Sequence, residues 1–144
     1  MNTPEKDLSY FRLKLQELLY TSFPELAADT LFINQRSTDA AYVYQEAFRS
    51  GNPIDQCSAI ADQILFEGLY FSKFDTVFQV VCQEFDSLLP DEELRPFAMK
   101  MFPICIPVFA NYELTDDFAY TTVFDRLYTE LTGTIQIWID ENGL

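Results

Sequence analysis

The chain has 144 residues, 49% of them hydrophobic, with fourteen Phe, eight Tyr and one Trp. That supply of apolar and aromatic side chains is enough for a packed core without disulfides or a structural metal, and it excludes a disordered chain. Twenty-three Asp and Glu against nine Lys and Arg give a net charge of −14, which opposes contact with phosphate backbones and anionic membrane surfaces.

The first predicted helix carries Leu8, Phe11, Leu15, Leu18 and Leu19 at helical spacing, with Asp7 as N-cap. Pro24 is expected at the first position of the next element. Ala40, Val43, Tyr44, Ala47 and Phe48 continue the i, i+3, i+4 pattern until Gly51 stops it. The pattern does not decide whether 24–50 is one helix or two broken near Ser37. Asn52 and Pro53 read as cap and first turn of a third helix striped by Ile54, Cys57, Ala61, Ile64 and Leu65, ending near Gly68. Ser72 and Asp75 have capping-box spacing, and Phe74, Val77, Phe78, Val81, Phe85 and Leu88 form the buried face that follows.

Between 89 and 112 the acids Asp91, Glu92 and Glu93 suit a helix start, and Pro96, Pro103 and Pro107 predict short, kinked pieces. Thr122 and Asp125 repeat the capping-box spacing before a last helix with Phe124, Leu127, Tyr128, Leu131, Ile135 and Trp138 on one face. Ile135, Ile137 and Ile139 also alternate like a strand, but the 3.6-residue period runs unbroken from Phe124 to Trp138. The sum is an all-α, single-domain multi-helical bundle of about six helices around one core, spanning 1–144.

The chain contains no histidine, which removes the usual Ser-His-Asp, Cys-His and HExxH chemistries. It has neither a P-loop nor a GxGxxG fingerprint. Cys57, Cys82 and Cys105 are odd in number and widely spaced, and are expected to be reduced and structural. The polar stretch Met1 to Asp7 is no signal peptide, so a cytoplasmic protein is expected. No catalytic residue, metal ligand or cofactor is assigned.

Carboxylates are the one abundant reactive group. Asp116 and Asp117 stand beside Thr115, Tyr112, Phe118 and Tyr120. They read as a small cation site or as a helix start capped by Thr115; the helix start is the stronger reading, because Mg²⁺ or Ca²⁺ needs more ligands than two neighbouring acids. Glu67 is a candidate for partial burial among aromatics. The aromatic stretches around Phe71 and Lys73 and around Tyr120, together with Asp116 and Asp117, form the candidate interaction surface.

The runs Leu65-Phe66-Glu67-Gly68-Leu69-Tyr70-Phe71-Ser72-Lys73-Phe74-Asp75, Leu114-Thr115-Asp116-Asp117-Phe118-Ala119-Tyr120 and Tyr128-Thr129-Glu130-Leu131-Thr132-Gly133-Thr134-Ile135-Gln136 resemble a domain-of-unknown-function family. The family comprises small helical proteins from Bacteroidetes-type gut and oral bacteria, often carried on conjugative transposons. Related domains are attached to large DNA-methylase and helicase polypeptides. The resemblance covers Leu8 to Leu144. It implies an all-α fold and a bacterial cytoplasmic setting, and it supplies no catalytic residue.

Three functions follow as expectations. The first is a non-enzymatic interaction or accessory module of mobile-element DNA machinery, meeting a basic protein partner through exposed aromatics and acids. The second is an acidic DNA mimic, which needs carboxylates in rows at phosphate spacing. The third is a carboxylate- or metal-dependent enzyme centred on Asp116 and Asp117. Direct binding to nucleic acid or membrane is not expected, and the oligomeric state, including self-association, stays open.

Overall fold

A computed structural model describes residues 7–144; the Met1–Asp7 leader argument therefore falls, apart from Asp7 itself, outside the described residues. The fold is all-α: six α-helices and one 3₁₀ turn, with no strand among the described residues. Where the sequence suggested one core, the buried apolar residues form two clusters. They belong to two compact units, one ending at Leu69 and one spanning Tyr70–Leu144.

The N-terminal unit holds α1 (Leu8–Ser22), α2 (Thr30–Arg49) and α3 (Ile54–Leu65). Asp7 caps α1 as predicted, its carboxylate accepting the Tyr10 N–H at 3.1 Å. Phe11, Leu15 and Leu19 are fully buried, whereas Leu8 is exposed. Pro24 does not begin a helix. It lies in a turn over 24–28, closed by i→i+3 bonds such as Leu26 N–H to Phe23 O at 2.9 Å. Asp29 is the cap instead, accepting from the Phe32 N–H at 3.0 Å. From there α2 runs unbroken through Ser37, which points into the core.

Gly51, at φ 93°, ends α2 in a Schellman arrangement. The Gly51 N–H bonds Phe48 O and the Asn52 N–H bonds Ala47 O, both at 3.1 Å. The Asn52 side chain also donates to Ala47 O, at 2.9 Å. Asn52 thus closes the helix behind it rather than capping the one ahead, and α3 starts from Pro53 with no side-chain cap. Of the α3 stripe, Cys57, Ala61 and Leu65 are buried and Ile54 is exposed. α2 packs against both α1 and α3.

The C-terminal unit holds α4 (Lys73–Glu84), α5 (Asp91–Phe109) and α6 (Val123–Asn142), each packed against the other two. Ser72 Oγ accepts the Asp75 N–H at 2.9 Å, the predicted cap of α4. Phe74, Val77, Val81 and Phe85 are buried, while Leu88 is exposed. Thr122 makes no capping bond, because its own backbone is already helical at φ −68°, ψ −22°. α6 is helical throughout 134–139, with Leu127, Leu131 and Ile135 buried; the strand alternative for the isoleucines is excluded.

The main departure from expectation is α5. The three prolines do not break it into pieces; it is one 19-residue helix containing Pro96, Pro103 and Pro107. A proline removes the N–H that would bond the carbonyl four residues earlier. Here all three prolines are exposed, as are Glu92, Met99 and Pro103, the residues whose carbonyls lose their usual i+4 donor. Opposite them, Phe97, Ala98, Met101, Cys105 and Phe109 are buried, and each such side chain adds roughly 1–3 kcal/mol of burial. That outweighs the loss of three i+4 helical bonds.

Candidate functional site

The sequence placed its candidate residues on two separate segments, and the structure brings them together through aromatic packing. Phe71 lies just before α4. Its ring meets Phe118 edge-on, with centroids 5.3 Å apart, and Phe124 at 6.5 Å. Phe118 is the one buried residue of the 3₁₀ turn Phe118–Tyr120 and also meets Tyr112 at 5.9 Å. T-shaped contacts of this kind set the positive ring edge against the negative ring face. The result is a rigid aromatic base under a short loop.

Three of the four remaining candidates lie in solvent. Tyr120 is 91% exposed. Asp116 and Asp117 are exposed, and Lys73, the first residue of α4, is half-buried. Thr115 does not cap a helix: its hydroxyl donates to Asp117 Oδ1 at 2.6 Å, and the Phe118 N–H bonds Thr115 O at 3.0 Å. The helix-start reading is corrected to a turn, since only three residues of 3₁₀ structure follow. Among the described residues no three Cys, Asp or Glu side chains gather closely enough to hold a metal ion. Glu67 is exposed, not buried among aromatics; its backbone carbonyl accepts from Arg36 Nη1 at 2.7 Å.

Beside the loop, Asn111, Tyr112, Glu113, Val123, Arg126 and Glu130 line a polar hollow of about 270 Å³. The Tyr112 hydroxyl donates to Glu130 Oε1 at 2.6 Å. Partial burial, this bond and the Glu130 charge together push the Tyr112 phenol up, against an opposing pull from Arg126. Elsewhere on α6, the Tyr128 hydroxyl is shared between Gln83 Oε1 at 2.8 Å and Glu84 Oε2 at 3.1 Å. Burial and the Glu84 carboxylate push it up to about 12. These phenols are therefore neutral donors that orient carboxylates, not acids or bases at neutral pH.

The sequence missed a second feature. Leu89, Pro96, Phe97, Lys100 and Trp138 wall an apolar groove of about 270 Å³. The Lys100 ammonium lies 4.8 Å from the centre of the Trp138 ring, and Phe97 meets the same ring at 6.1 Å. Trp138 had been assigned to the buried face of α6; it is only half-buried. The available signal was a lysine on the proline-marked side of α5, which no period analysis connects to α6.

All three cysteines are free thiols. Cys57 and Cys105 are buried; Cys82 is half-buried. Burial alone pushes the Cys105 thiol up to about 12. Burial and the nearby charges of Asp86 and Asp91 push Cys82 up as well. Neither has the electropositive surroundings that make a nucleophilic thiolate.

A family model described as Domain of unknown function (DUF1896) matches residues 3–144, and the chain belongs to that family. A solved structure, protein PG0816 from Porphyromonas gingivalis, is 39% identical with a TM-score of 0.84, the match covering 98% of this chain and 96% of that one. No match is found among curated proteins.

Proposed function

We propose that this member of the family is a non-enzymatic cytoplasmic module that contacts a basic protein partner within mobile-element DNA-processing machinery. The observation that carries the reading is the Phe71–Phe118 contact, which joins two distant segments into one surface topped by Tyr120 at 91% exposure. An exposed tyrosine on a rigid base buries large area at low entropic cost, the property of an interface anchor. Asp116 and Asp117 beside it supply long-range attraction for a cationic surface. Several of the basic side chains that could oppose this are already engaged: Lys14 on Asp62, Arg49 on Glu46, Arg36 on backbone carbonyls and Lys100 on Trp138. No helix among the described residues is long and apolar enough to cross a membrane.

The test is binding to the methylase–helicase polypeptide of the same element, measured by biolayer interferometry. Tyr120→Ala should weaken binding about tenfold or more, the scale of an interface hot spot. Asp116→Asn with Asp117→Asn should slow association, with the difference from wild type shrinking as salt rises to roughly 1 M. Retention of duplex DNA by the protein alone at low salt would overturn the reading.

A further inference from the structure

The outer side of α5 inverts the usual pattern of a surface helix, which turns polar residues to water. Pro96, Met99, Pro103, Ile106 and Pro107 are exposed along one side, and Ala110 continues the line just past the helix end. Lys100 is the one polar side chain exposed between Pro96 and Phe109, and it is drawn over Trp138. A continuous exposed apolar strip of this kind marks a contact surface. At one end it opens into the groove walled by Leu89, Phe97 and Trp138.

Two observations specify what fits there. First, the exposed strip from Pro96 to Ala110 is apolar apart from Lys100, so it fits the apolar face of a partner rather than a polar one. Second, the unit carrying the strip, Tyr70–Leu144, has thirteen acids and four bases, and Asp91, Glu92 and Glu93 stand at the groove end of α5. A second copy of the chain would bring another charge of −14 to this acidic unit. We infer that the outer face of α5 docks an amphipathic helix of a partner protein, its apolar face on the proline–methionine–isoleucine strip and flanking arginines or lysines on Asp91, Glu92 and Glu93. A large aliphatic or aromatic residue of that helix fills the Trp138 groove. The inference rests on the protein-interaction reading above but uses none of the residues of the Tyr120 surface.

The probe is a synthetic helical peptide of about 18 residues with leucines at i, i+3, i+4 and i+7 and arginine flanks, compared with a glutamate-flanked twin. Trp138 is the chain's one tryptophan, so its emission reports binding at the groove without a label. The arginine peptide should give a saturable emission change in the intact protein, and the glutamate twin should bind at least about tenfold more weakly. Ile106→Glu should weaken binding by a similar factor, with Met99→Glu as a second exposed variant if the first is misfolded by circular dichroism. Tyr120→Ala should leave peptide binding unchanged, which separates this face from the other. Equal binding of the two peptides, no saturable change with the arginine peptide, or unaltered binding by both face variants would overturn the inference. So would a dimer that Ile106→Glu dissolves, which would give the face to a second copy.

Discussion

The two units solve the same packing problem with different materials. The N-terminal core is largely aliphatic, with Leu15, Leu19, Ile33, Ala40, Ala61 and Leu65 buried around Phe11 and Tyr44. Polar clamps tie its helices: Lys14 to Asp62 at 2.9 Å between α1 and α3, and Arg36 of α2 to the carbonyls of Leu65 and Glu67 at 3.2 and 2.7 Å. The C-terminal core buries six phenylalanines and links them to partly exposed rings at its rim, Phe71, Phe124, Tyr128 and Trp138. Aromatic rings give a core that can extend to the surface and end in exposed anchors, because a ring edge or hydroxyl can face water while the body stays packed. The aliphatic core stapled by charges has one such contact among the described residues, the buried Phe11 ring edge-on to the exposed Tyr10 at 5.1 Å. Both surface features argued above accordingly lie in the C-terminal unit.

The sharpest way to break this comparison is to cut one buried side chain from each core. Phe74 is fully buried, stacked on Phe78 at 6.0 Å, edge-on to Phe102 at 5.6 Å and covered by the Arg95 guanidinium at 4.9 Å. Phe74→Ala should cost about 3–5 kcal/mol, and Leu15→Ala about 2–4 kcal/mol, since the ring loses more contacts and leaves the larger cavity. Urea unfolding of both variants decides it. A smaller loss at Phe74 than at Leu15 would show that the ring network is not the heavier stabiliser.

The clamps come next. Arg36 stacks on Phe32 at 4.8 Å while bonding the carbonyls at the end of α3. Arg36→Ala should cost about 1–3 kcal/mol, the range for charged hydrogen bonds to groups left without a replacement. The loss should be accompanied by faster amide exchange at the C-terminal end of α3. Lys14→Ala should cost less, about 1 kcal/mol or below, because both members of that pair remain a third exposed.

The polar tie of the C-terminal unit is a neutral phenol, so it should fail in alkali. Tyr128 titrates at about 12 in the fold against an ordinary value of 10.0, owing first to burial and then to Glu84. The fold therefore favours the protonated phenol. Its contribution is fully present below about pH 10 and is lost as pH rises through about 12. Tyr128→Phe should flatten the fall in stability across that window relative to wild type, read as urea midpoints at several alkaline pH values. An identical fall in both proteins would remove Tyr128 from the account.

The parts of this fold that could be read in the sequence are the ones decided by local hydrogen bonds. Asp7, Ser72 and Gly51 each act within four residues of their partners, and each does what its spacing implies. Asn52 matched the same rules but closes the helix behind it, because a capping residue can face either way along the chain, and Thr122 makes no cap because its own backbone is already helical. α5 was misread because the proline rule concerns a donor, and whether losing a donor matters depends on which side the carbonyl faces. That side is fixed only once α4 and α6 have packed against the other. At the candidate site the Phe71–Phe118 contact was not legible: no period links positions 47 residues apart. Trp138 shows the converse limit, since a helical stripe tells which side turns inward but not where the core stops.

Glycine gives the smallest test and the one that changes sign between the units. Gly133 sits inside α6 at an ordinary helical φ, and a Cβ built there meets nothing within 4 Å. Gly133→Ala should therefore stabilise by about 0.5–1 kcal/mol, by restricting the unfolded chain and improving helix propensity at no steric cost. Gly51 also has open space around its would-be Cβ, but its φ of 93° is required by the Schellman bonds that end α2. Gly51→Ala should destabilise by about 1–2 kcal/mol, because an L side chain is strained there whatever the room. Thermal melts of the two variants should move in opposite directions, the Gly133 variant upward. Equal shifts would mean that empty space, not backbone conformation, decides what a glycine is for in this chain.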